Sequence, residues 1–148
     1  MRRRARECAL QILYQMDISR DLETSQGPAR VDEAIRSFWQ SFEIVDEDER
    51  VFAERLARGV VADIEAIDDA IALVSQNWRV ARMGKVDRNL IRVAAYEILC
   101  CPDIPRVASI NEAVEIAKRF SGTESAAFVN GVLDQIGRDK GGGGAAAP

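Results

Sequence analysis

Apolar residues recur along this chain at spacings of three and four, the period of a helix that buries one face. Ala5, Ala9, Ile12, Leu13 and Met16 form the first such stripe, and Val31, Ile35, Phe38 and Phe42 form a second beyond the Gly27-Pro28 break. The acids at 46–49 suit a helix N-terminus, whose backbone N–H groups favour negative charge, and Phe52, Leu56 and Val60 follow at helical steps. Ile64, Ile67, Ile71 and Val74 continue the pattern. Val86, Leu90, Val93, Ala94 and Ile98 make another stripe, which Pro102 and Pro105 end. Ser109 and Glu112 have the spacing of a capping box around Ile110, Ala113, Val114, Ala117 and Phe120. Ser125 is placed to cap a last helix carrying Phe128, Val132 and Ile136. Within that helix Gly131 predicts close contact with a neighbour, since a mid-helix glycine costs about 0.5–1 kcal/mol against alanine. No run alternates with period two for long enough to make a sheet. The pattern predicts an all-α fold of about seven helices. It places a single helical domain over 1–138 and a disordered Gly/Ala tail over 139–148.

Composition narrows the chemistry. The 148 residues suit one domain with a sizeable core, and 47% hydrophobic with 30% charged residues describes a globular chain. No apolar run approaches the ~18 residues of a membrane span. The segment Ala9 to Ile18 is broken by Gln11, Gln15 and Asp17, which argues against a secretion signal. There is no histidine, which removes Ser-His-Asp and Cys-His catalysis and histidine metal sites. Cys8, Cys100 and Cys101 form no CxxC pair and read as reduced thiols of a cytoplasmic protein, too few for a zinc site. No GxxxxGK[ST] loop occurs, and the glycines at 141–144 open no patterned helix, so phosphate-cradling folds are excluded. The many carboxylates read as solvated faces and caps rather than a catalytic pair. The expectation is a non-enzyme that needs neither cofactor nor metal.

Charge is unevenly placed. Arg2, Arg3, Arg4 and Arg6 give the first six residues +4, while the rest of the chain carries −8. Four cations at a helix start oppose the macrodipole, each at a cost of about 0.3–1 kcal/mol, so a bound anion is expected to offset them and the free first turn to fray. At 100° per residue Arg3, Glu7, Leu10 and Tyr14 line up away from the apolar face, bringing a ring onto the arginine surface. Cations beside an aromatic suit single-stranded RNA; a solvated basic tip with Tyr14 packed on a neighbouring helix fits the pattern equally well. If three to four phosphates are neutralised, log affinity against log salt slopes at about −2 to −3. A second stretch from Trp78 to Glu97 interleaves Arg82, Asp87, Arg88, Arg92 and Tyr96, a mixture found at protein interfaces. Internal pairing of those arginines with acids such as Asp87 or Glu97 is the somewhat stronger reading.

The same stretches resemble the NusB family. The opening Arg3 to Gln15 is similar to the family's first helix, and Trp78 through Val86-Asp87-Arg88 to Tyr96-Glu97 resembles its centre. Asp103-Ile104-Pro105, the run Ile110 to Lys118 and Phe128 to Asp134 resemble its C-terminal half in order. The likeness spans nearly the whole chain outside 20–45 and the tail, two segments to which it gives no role. It implies two small packed helix bundles and a transcription antitermination factor. Such a factor pairs with NusE, a small-subunit ribosomal protein, and binds single-stranded boxA RNA in ribosomal RNA leaders. The pair then helps to assemble an antitermination complex on RNA polymerase. Carried over by position, the resemblance gives Arg2, Arg3, Arg4, Arg6, Tyr14, Lys118, Glu124 and Phe128 to RNA, and Asp87 and Arg88 to the protein partner. Glu124 stands where the family often has aspartate. A homodimer of the free chain is left open, and the alternative function is a helical adaptor whose basic tip meets an acidic protein.

Overall fold

The computed structural model describes residues 2–23, 26–41, 45–75 and 80–146; Phe42 and Trp78, both used in the sequence reading, lie outside the described residues. Among the described residues seven α-helices follow in order: α1 Arg2–Ile18, α2 Gly27–Ser41, α3 Glu47–Ala62, α4 Ile64–Val74, α5 Lys85–Cys100, α6 Arg106–Phe120 and α7 Thr123–Ala146. Short 3-10 turns at Asp21–Glu23 and Val80–Arg82 precede α2 and α5. Among the described residues there is no strand, as the absence of period-two patterning predicts. No helix among them is long and apolar enough to cross a membrane.

The chain divides into two compact units, Met1–Ile64 and Glu65–Pro148, matching the two-bundle arrangement that the family resemblance implies. In the first unit α1, α2 and α3 each pack on the other two. Ile12, Leu13 and Met16 of α1, Ile35 of α2, and Phe52, Leu56 and Val60 of α3 are buried there, the stripes read from the sequence. The acids open α3 as expected: Asp46 caps it, its carboxylate accepting the Glu49 N–H at 2.9 Å. In the second unit α5, α6 and α7 are in mutual contact. The α4 helix is tied to α5 by Arg92, whose guanidinium grips both carboxylate oxygens of Asp68 at 2.8 Å. Internal pairing is therefore the outcome for Arg92, with Asp68 as the partner.

Local sequence signals misplace several details. The α6 helix starts at Arg106, directly after Pro105, so Ser109 lies inside it rather than at its cap. The Ser109 hydroxyl is fully buried and donates to Glu97 Oε1 at 2.8 Å. A carboxylate buried on α5 needs a donor more than a helix already begun needs a cap. Ser125 likewise sits within α7, its hydroxyl donating to Asp87 Oδ2 at 3.0 Å. Gly131 is exposed, and a Cβ added there meets nothing within 4 Å, so it marks no close approach. The close approach in α7 is at Gly137, whose carbonyl accepts from Arg106 Nη1 at 2.7 Å and where a Cβ would meet the Arg106 side chain. The α7 helix runs to Ala146.

Candidate functional site

The arginine-bearing turn belongs to the first unit and is helical from Arg2 onward, not frayed. Arg2 is exposed and lays its guanidinium over the Phe52 ring of α3, 4.3 Å from the centroid. Arg6 approaches the same ring at 5.4 Å and is buried, only 4% exposed. Arg4 pairs with Glu7 at 3.5 Å, and Arg3 is half-buried. Part of the cost of four cations at a helix start is thus offset within the fold, by a quadrupole and a carboxylate, before any anion binds. Arg2, Arg3 and Arg4 keep accessible surface, whereas Arg6 is packed among protein.

The line drawn through Arg3, Glu7, Leu10 and Tyr14 is not a solvent face. Glu7 and Leu10 are 4% and 3% exposed, and every residue from Ala5 to Leu10 is buried. Helical periodicity reports only the most apolar side of α1, and this helix is covered on the others too. Tyr14 remains half-buried, three turns along from the arginines. Cys8, beneath them, is a buried free thiol; burial raises its pKa, and the Arg4 charge opposes that only in part. Burial and the raised pKa both work against thiolate reactivity there.

In the second unit Asp87, Glu124 and Phe128 meet in one groove of about 380 Å³, completed by Arg82, Met83, Gly84 and Ser125. The segment leading into α5, the first turn of α5 and the first two turns of α7 build it, and the Ser125–Asp87 hydrogen bond joins the two helices. The other Asp87 oxygen, Oδ1, is buried with no hydrogen-bond partner among the described residues. Arg88 does not reach this groove: it is 7% exposed, and its Nη1 donates to the Val80 carbonyl at 3.4 Å. Lys118 lies apart on α6, exposed and paired with Glu115 at 3.5 Å.

The groove therefore joins residues that the sequence reading divides between RNA and protein, and adds Arg82, Met83 and Ser125. Ser125 carried a signal of the wrong kind, a capping residue that instead serves a carboxylate one helix away. Phe52 was legible only as a member of an apolar stripe.

The NusB family model matches residues 3–138, nearly the whole described chain. The chain belongs to the NusB family. The transcription antitermination protein NusB of Anaeromyxobacter dehalogenans (strain 2CP-1 / ATCC BAA-258) is 47% identical over 135 residues, covering 91% of this chain and 89% of that protein. The solved structure of T. maritima NusB is 34% identical with a TM-score of 0.78, covering 93% of this chain and 91% of that one. A chain in a crystal structure of the antitermination factors NusB and NusE in complex with dsRNA is 26% identical with a TM-score of 0.78, covering 94% and 98%. The all-α, seven-helix expectation and the NusB resemblance both hold.

Proposed function

We propose that this chain binds single-stranded boxA-type RNA in ribosomal RNA leaders together with NusE, and helps to assemble an antitermination complex on RNA polymerase in the cytoplasm. Membership of the NusB family makes it a transcription antitermination factor rather than an enzyme. The observation that carries the RNA reading is the arginine turn of α1, with Arg2, Arg3 and Arg4 accessible on a body of net negative charge. Its likeness to the NusB chain crystallised with NusE and RNA supports the same reading. In this reading 1–138 is the RNA-binding domain; Arg2, Arg3 and Arg4 supply phosphate contacts, and Arg6 braces the turn from within. Tyr14 and Phe128 offer rings for bases, with Lys118 and Glu124 beside the RNA path. Asp87 faces the protein partner, and Arg88, being buried, supports α5 beneath it. A homodimer of the free chain would compete for the same surfaces.

Fluorescence anisotropy with boxA-type RNA and a scrambled control, with and without NusE, tests this. Selective binding that tightens with NusE is expected. Equal binding to both RNAs, or none with NusE present, replaces the reading with a helical adaptor whose basic tip meets an acidic protein. In the same assay Asp87→Lys should weaken NusE binding by reversing a charge at the groove. Unchanged NusE affinity moves that interface elsewhere.

A further inference from the structure

Two guanidinium groups share one ring. Arg2 and Arg6, one helical turn apart on α1, lie 4.3 and 5.4 Å from the Phe52 centroid. Two like charges gathered there repel each other, and the face of the ring offsets part of that repulsion. Phe52 itself is 5% exposed and fixed on α3, whose N-terminal turn Asp46 caps. A ring so confined has no freedom to follow the arginines; they must come to it. Arg6 is packed in from beneath, and Arg2 is left at the surface.

We infer that Phe52, a residue with almost no surface to offer RNA, is the positioning residue for the basic turn and fixes the Arg2 guanidinium for phosphate binding. The inference rests on the RNA reading above. A guanidinium whose central carbon sits over a ring, 4.3 Å from its centroid, can still turn N–H donors outward, the ones that bind a phosphate in bidentate fashion. A free arginine must give up rotamer freedom when it contacts RNA, and one already held on a ring has given up much of it beforehand. Phe52 therefore raises RNA affinity without touching RNA.

The test uses the full chain with the boxA-type RNA and NusE. Phe52→Leu removes the π face while keeping an apolar side chain, and should weaken RNA binding about three- to tenfold. Phe52→Tyr keeps the face and should stay within about twofold of the parent chain. Arg2→Gln should cost markedly less affinity in the Phe52→Leu background than in the parent, a coupling that general loss of packing does not produce. In the unmutated free chain, ring-current upfield shifts of the Arg2 side-chain protons read the stack directly, so the inference is testable even if Phe52→Leu folds poorly. Unshifted Arg2 protons overturn it, as does parent-like affinity in a folded Phe52→Leu or full additivity with Arg2→Gln. Arg3→Gln is the comparator. Weak RNA binding by Arg3→Gln beside a parent-like Phe52→Leu overturns the role of Phe52 and leaves the RNA reading standing. Parent-like affinity in Arg2→Gln, Arg3→Gln and Phe52→Leu alike overturns both.

Discussion

Gly122 and Gly131 make opposite demands on the backbone nine residues apart. Gly122 has φ +105° and ends α6, its N–H bonded to the Ala117 carbonyl at 3.0 Å. That left-handed conformation disfavours any side chain, so Gly122→Ala should destabilise the fold by about 1–2 kcal/mol. Gly131 is helical, exposed and open around its Cα, so Gly131→Ala should stabilise by about 0.5–1 kcal/mol. Thermal melts of the two variants should shift in opposite directions; a shared direction would contradict this account of both positions. From sequence each glycine had a plausible reading, and that of Gly131 was wrong because close approach depends on which helix lies opposite. Arg6 makes the same point. Its place in a run of four arginines says nothing of the ring that buries it, since Phe52 is 46 residues away.

Between elements, the α2–α3 pairing is fastened at Glu54. Its carboxylate accepts from Trp39 Nε1 at 3.0 Å, Arg50 Nε at 3.1 Å and Arg58 Nη1 at 2.9 Å, while Arg58 also donates to Asp32 at 3.0 Å. Arg50 stacks over the Trp39 ring at 5.3 Å, closing the cluster. Partial burial pushes the Glu54 carboxyl pKa up, but the bonds from Arg58, Arg50 and Trp39 outweigh it and hold the pKa below the usual range. A carboxyl depressed on folding adds stability that is fully present above its unfolded value of about 4.3. That contribution is lost as pH falls through the lower folded value. Chemical denaturation of Glu54→Gln should therefore show a flatter fall in stability below pH of about 5 than the parent chain. A parallel pH profile would mean the cluster adds nothing through ionisation. The stripes that place α2 and α3 face to face were legible in the sequence. This clamp was not, because its partners come from two helices and their pairing follows from the packing.

Across the whole molecule, charge separation governs how RNA is met. A tip of +4 on a body of −8 attracts a polyanion locally and repels it elsewhere, which makes binding strongly salt-dependent. With Arg6 packed inside, three accessible arginines remain on α1, so log affinity against log salt should slope near −2 for single-stranded RNA, the shallow end of the sequence expectation. Arg3→Gln should flatten the slope by roughly 0.7. Anisotropy titrations across a salt series measure both, and an affinity indifferent to salt would remove the electrostatic account. The sequence by itself determined the helices, the apolar face of each and the family, because period and motifs are local and survive any arrangement of the rest. It also brought forward the arginine turn and the residues Asp87, Glu124 and Phe128. Only the tertiary structure decided what each of them does in the fold: Arg6 buried under Phe52, Arg88 turned inward to Val80, Ser109 given to Glu97, and Asp87 joined to Ser125 at the groove. These outcomes turn on partners supplied by other elements, where the cost of burying a charge or hydroxyl without a partner outweighs any local preference.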